Sequence, residues 1–297
     1  MPIPPQQDHP MQIPSLPFVL TLLTFTLPAQ GGDGKGEQEP APKKTQQLDA
    51  WPDLEKADSE RLLGCLVQFR KDKESLHESA RDMLVAIGAA GMPLLFQKVS
   101  DRPENINADL FQVFDRVLDE RHAALLAREI KKPRVALRRY LVQRLCRFLD
   151  PNQRATLTAT MKDPDPETAY FAALGALALG EKAAMAPVLA YSKTHWDTTG
   201  EITAEVLTKA RSREPGLWLF EAIAKAPAAD QMAGLRLARY LAIKEQQMIL
   251  RTYLQAPDHA VKKEAVNALR VINGEDPIEK LSVFQAIEMA KEWLKKV

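Results

Sequence analysis

Apolar residues recur along this chain in columns that step four, eight and eleven residues from an anchor, and the column returns about every thirty residues. Leu76, Ala80, Leu84 and Ile87 form the first. Ile106, Leu110, Phe114 and Val117 follow, then Leu137, Leu141, Leu145 and Phe148, then Thr168, Ala172, Ala176 and Leu179. Val261, Ala265, Leu269 and Ile272 close the series. Two weaker columns lie between, Ile202, Val206, Ala210 and Met232, Tyr240, Ile243, with Arg213 and Arg236 interrupting the apolar run. The anchors are separated by 30, 31, 31, 34, 30 and 29 residues. Four and seven residues are about one and two helical turns, so each column is one face of an amphipathic helix.

Shorter amphipathic segments fill the intervals: MPLLFQKV, HAALLAREI, RATLTATMK, AAMAPVLAYSK, LWLFEAIAKA and QQMILRTYL. Each unit therefore reads as a helix, a turn, a second helix and a turn marked by Pro, Asp or Gly. An acid near a helix start satisfies orphan N–H groups, and Gly at the far end, as at Gly88, Gly180 and Gly274, terminates a helix in a left-handed conformation. A lone helix pair cannot bury its apolar face, but stacked pairs can. The predicted fold is all-α, an α-solenoid forming a right-handed superhelix of about seven helix pairs. The stretch DPDPETAYFAALGALALG, apolar for thirteen residues after Glu167, is its central copy.

DPDPETAYFAALGALALG and APDHAVKKEAVNALRVING resemble HEAT-like repeats of the short kind, about thirty residues long, that also occur in phycobilin lyases. The resemblance spans roughly residues 55 to 275. It implies a ridged superhelix that engages partners along its concave side, and it carries over no catalytic residue. The basic residue that usually follows the anchor is Lys262 in one copy and Ala169 in the other.

Before the repeats the pattern changes. No charged residue lies between Pro10 and Gly32, and PSLPFVLTLLTFTLPA has the length of a secretory apolar region, followed by the small-x-small sequence Ala29-Gln30-Gly31. Pro14 and Pro17 and the shortness of the run argue against a membrane span, so the chain is expected to carry no span once the signal is removed. The expected organisation is a signal peptide over 1–31, a disordered linker over 32–50, a repeat solenoid over 51–280 and a capping helix over 281–297. No Lys or Arg precedes the apolar run, and the start is Met1 or Met11. The chain is expected to be exported, periplasmic or extracellular, with a cytoplasmic location as the alternative. In the capping helix, Leu281, Phe284, Ile287 and Leu294 are expected to face the array.

Forty basic and thirty-nine acidic side chains leave a formal charge of +1, so any electrostatic partner must meet a local patch. Cys65 and Cys146 lie about two stacking layers apart, too far for a disulfide, and read as buried thiols. The five histidines, His9, His77, His122, His195 and His259, are scattered without ligand spacing. HExxH, GxxxxGK[ST], GxSxG and CxxC are all missing, so the sequence nominates no catalytic residue, metal or cofactor.

Two local features stand out. KKPRVALRRYLVQRLCRF carries Lys131, Lys132, Arg134, Arg138 and Arg139 as a candidate anion-binding ridge, with pairing to the acids of DRVLDERH as the alternative. SKTHWDTTGE, expected as a polar loop, offers His195 and Trp196, with Trp218 one segment on, as a candidate interface or as internal packing. The expected function is a non-enzymatic, exported scaffold that binds a protein or peptide and no nucleic acid. The alternative is a HEAT-like lyase or a nucleic-acid-handling solenoid that uses the ridge.

Overall fold

Seven of the sequence columns become seven successive helices, which fixes the architecture. The structure is a computed structural model that describes residues 46–102 and 106–297. The expected signal peptide, and the expected linker up to residue 45, lie outside the described residues. The column helices are α2 (Glu74–Ile87), α4 (Asn107–Val117), α6 (Val135–Phe148), α8 (Pro166–Ala178), the second half of α9 (Met185–Lys209), α11 (Ala228–Leu241) and α13 (His259–Ile272). Between them run α1 (Lys56–Gln68), α3 (Met92–Phe96), α5 (Ala123–Glu129), α7 (Arg154–Thr160), α10 (Arg213–Ile223) and α12 (Arg251–Leu254), and α14 (Val283–Lys296) ends the chain. No strand occurs among the described residues.

The column helices stack in chain order. α2 packs on α4, α6 on α8, α8 on α9, α9 on α11, α11 on α13 and α13 on α14. α4 and α6 are joined by Phe111 and Tyr140, whose rings stack at 4.6 Å, and by the Tyr140 hydroxyl, which donates to Asp115 at 2.8 Å. This is a HEAT-like helical repeat with one continuous apolar core.

α8 shows why its sequence is apolar all round. With α6, α7 and α9 against it, every residue from Tyr170 to Leu177 is buried, so no face remains for a polar stripe. Pro166 occupies its first turn and the Asp165 carboxylate accepts from the Thr168 N–H at 2.9 Å, which caps the start. Gly180, at φ +89°, ends it, as Gly274 ends α13 at φ +83°.

The short helices begin in a way the pattern did not show. A 3-10 turn precedes α5 (Glu120–His122), α7 (Pro151–Gln153) and α9 (Lys182–Ala184), each capped by an acid two residues before the N–H it accepts. These acids, Asp119, Asp150 and Glu181, are spaced at the repeat step. Residues 46–50, placed by sequence in the linker, are tied to this row. Gln47 Nε2 donates to the Glu120 carbonyl at 3.0 Å, Leu48 N to the Arg121 carbonyl at 2.9 Å, and Trp51 stacks on buried His122. The capping helix also differs from expectation: Trp293, Ala286 and Ala290 face the core with Leu281, while Phe284 is 73% exposed. The heptad phase of α14 turns Phe284 outward once Trp293 is inside.

Candidate functional site

The cations of KKPRVALRRYLVQRLCRF are mostly engaged inside the array. The Arg138 guanidinium grips Asp163 with Nε at 2.9 Å and Nη2 at 3.0 Å, and Arg139 does the same to Asp165 while its Nη1 lies 2.8 Å from Glu167. Arg134 donates to the carbonyl of Gln97 at 2.6 Å, and Lys132 sits 3.3 Å from Glu129. Lys131 is exposed and makes no ion pair among the described residues. The acids that meet Arg138 and Arg139 are not upstream, where the sequence reading looked, but downstream in DPDPE, at the entry of the next column helix. Burial pushes the Asp165 carboxyl up, but hydrogen bonds from Arg139 and Thr168 outweigh it and hold the group down at about 2. Hydrogen bonds to Asp163 and to Asp165 push the Arg138 and Arg139 guanidinium groups, respectively, above their ordinary value.

Comparable rungs join other layers. Arg81 reaches from α2 to Asp109 on α4, and Arg239 and Arg236 reach from α11 to Glu264 on α13. The sequence signal was present: each Arg lies about one repeat before its acid.

SKTHWDTTGE is helix, not loop. α9 runs through it with a kink at His195 (φ −121°, ψ 19°), whose carbonyl accepts from the hydroxyls of Thr198 at 3.0 Å and Thr199 at 2.8 Å. Threonine hydroxyls bonding back to a carbonyl stabilise such a bend without any turn residue, which is why a polar run was mistaken for a loop. The His195 ring is exposed and stacks on Tyr191 at 4.0 Å; Trp196 is half-buried beside Tyr240, and Trp218 is half-buried against the core from α10. No ring contact joins these three among the described residues.

A cleft of about 610 Å³ opens where α4, α6 and α9 end close together. Its lining includes Leu118, Arg121, Arg144, Arg147, Phe148, Glu205 and Lys209. Arg144 donates through Nη2 to the Leu118 carbonyl at 2.7 Å, faces Asp115 at 3.3 Å, and lies over the Phe148 ring at 5.1 Å. Nε of Arg147 stands 3.1 Å from a Glu205 oxygen, a charge contact without hydrogen-bond alignment, and Lys209 Nζ holds the other Glu205 oxygen at 2.9 Å. The Nε groups of both Arg144 and Arg147 are buried without a hydrogen-bond partner. Arg144 and Arg147 belong to the basic segment KKPRVALRRYLVQRLCRF and Phe148 to an apolar column, but Glu205 and Lys209 come from a later repeat and no local pattern announces them.

No group of three or more His, Cys, Asp or Glu side chains is placed to hold a metal ion among the described residues. Cys65 and Cys146 are both free and buried, and burial pushes both thiols up.

Fold and cleft define the class: an all-α protein of HEAT-like helical repeats with an arginine-lined cleft between repeat ends. Comparison with known proteins adds little beyond the class. No family model matches the chain, and no curated protein matches it. Among solved structures it is similar to human deoxyhypusine hydroxylase in complex with glycerol, at 15% identity and a TM-score of 0.33, over 81% of this chain and 98% of that chain. The expectation of a non-enzymatic scaffold is corrected on this finding: that neighbour is an enzyme, so the missing motifs do not mark this chain as a non-enzyme. A likeness this distant brings no activity, substrate or residue with it.

Proposed function

We propose that this protein binds an organic anion with a flat apolar body in the cleft between α4, α6 and α9, and that it does so outside the cytosol. The observation that carries the reading is the gathering of Arg121, Arg144, Arg147 and Lys209 around Phe148 in one cleft, with Arg144 lying 5.1 Å over that ring. A carboxylate, sulfonate or phosphate accepts from the solvent-facing nitrogens of Arg147 and from Lys209, while the apolar body lies along Phe148 and Leu118. Four cationic side chains against three acids on the lining make the cleft mildly attractive to a single negative charge. The ridge at Arg138 and Arg139 is a poorer anion site, because a carboxylate grips each guanidinium group through two nitrogens, whereas Arg144, Arg147 and Lys209 meet their carboxylates through single contacts.

Export rests on the apolar segment ahead of Gly31. The repeats' finer likeness to those of phycobilin lyases rests on their length and their Pro-Asp entries, and it is part of this reading only as a repeat type.

Naphthalene sulfonate, followed by saturation-transfer NMR, tests the cleft. Binding is expected in the wild type and in Arg116→Ala, an exposed cation outside the cleft, and is expected to be lost in Arg147→Gln combined with Lys209→Ala. Equal signals from wild type and the double variant overturn the reading. Sequencing the N-terminus of protein secreted from its own cells tests export, and a chain that retains Met1 in the cytosol refutes it.

A further inference from the structure

The first helix of the described array carries an apolar face that is exposed among the described residues, where Leu63 and Val67 border a groove with Lys98 and Ile106. Leu63 and Val67 on α1 are 46% and 55% exposed, and Met83 of α2, beside them, is 39% exposed. Terminal repeats of a solenoid ordinarily present a polar outer face. Gly64 lies on the same side, and a Cβ there would have nothing within 4 Å, so another backbone can approach closely. Glu60 and Arg70 flank the apolar pair, both exposed and neither in an ion pair among the described residues. The Arg70 N–H bonds to the Val67 carbonyl at 3.3 Å in the turn that follows the end of α1 at Gln68.

Positions 60, 63 and 67 follow the three-four step of a coiled-coil seam, and Arg70 lies in the turn just past the helix end. Their order is acid, apolar, apolar, base, and a reversed copy of that order is its own complement. We propose that this face is the interface of a homodimer, with α1 of each copy antiparallel across a two-fold axis. Leu63 then meets the partner's Val67, and Glu60 meets the partner's Arg70, and each contact occurs twice, as a two-fold interface requires. Charge order selects α1 over the other exposed apolar end. Beside Phe284 on α14, Glu288 and Lys291 already pair with each other at 2.8 Å, leaving no charge to select a partner. The seam is short compared with interfaces of obligate dimers, so the association is concentration-dependent.

Sedimentation velocity over a concentration series tests this on the full chain, with circular dichroism confirming that each surface variant keeps its helix content. The wild type is expected to shift from monomer to dimer, and Leu63→Glu or Val67→Glu to remain monomeric throughout. Glu60→Arg and Arg70→Glu are each expected to weaken the dimer, and the two together to restore it. A wild type that stays monomeric overturns the proposal. So does a dimer indifferent to Leu63→Glu, a dimer lost in Phe284→Ser instead, or a double reversal that fails to restore association.

Discussion

Arg138 and Asp163 meet across one repeat boundary as a two-pronged ion pair, with Nε to one carboxylate oxygen at 2.9 Å and Nη2 to the other at 3.0 Å. Their side chains are 11% and 9% exposed. The pair therefore sits where the loss of one member strands the other in a dry environment.

Asp163→Ala is expected to lower unfolding stability by roughly 3 kcal/mol, because removing one partner of a buried pair leaves an uncompensated charge. Replacing Arg138 and Asp163 together by Met and Ala is expected to cost less than Asp163→Ala alone. Urea denaturation followed by far-UV circular dichroism measures both.

Asp165 carries a pH signature. Its carboxyl is held at about 2 in the folded chain, against the ordinary aspartate value near 3.9. A depressed folded value adds stability that is complete above the unfolded value and is lost as pH falls through the folded one. Wild-type stability is thus expected to fall between about pH 4 and pH 2, and Asp165→Asn to show a shallower fall over that window. Urea midpoints measured at each pH give the comparison.

Tyr170 is buried in α8, and its hydroxyl lies 2.5 Å from Thr203 Oγ1 and 3.2 Å from Ser192 Oγ, both on α9. Tyr170→Phe keeps the ring and removes the shared bond, leaving the buried Ser192 hydroxyl without it while Thr203 keeps its bond to the Thr199 carbonyl at 2.7 Å. A loss of about 1–2 kcal/mol is expected from the same urea titration, without change in helix content.

Gly216 and Gly64 should respond oppositely to alanine. A Cβ on Gly216 would collide with the Gln246 amide, which bonds to Ile243 N and to the Arg213 carbonyl. Gly216→Ala is expected to lower thermal stability by about 1–3 kcal/mol through overpacking. Gly64 stands in a helix with open space around it, so Gly64→Ala is expected to raise it by up to about 1 kcal/mol. Differential scanning calorimetry of the two variants at low protein concentration decides.

The repeat was legible because one physical requirement, burial of a helix face by a neighbour, acts at every copy and writes the same four apolar-face positions in five of the seven. Thr168, Ala172 and Ala176 are buried as their column demands, as are Val261, Ala265 and Leu269. The polar readings fared differently. Arg138 and Arg139 look alike on paper whether they face solvent or reach Asp163 and Asp165, since charge alone does not say which neighbour a long side chain meets. SKTHWDTTGE is as polar as a loop, yet threonine hydroxyls let a helix bend through it. The cleft was invisible for a third reason: Arg147 and Glu205 belong to different copies, and only stacking brings them within 3.1 Å.

α9 has one consequence of a different kind. Elsewhere among the described residues a turn separates each column helix from the helix before it. In α9 one continuous backbone, bent at His195, carries two members, the end of one unit and the start of the next. The angle between those two members is consequently inherited from peptide geometry and two threonine hydroxyls, so this one joint in the series cannot be re-aimed by changing the length of a loop.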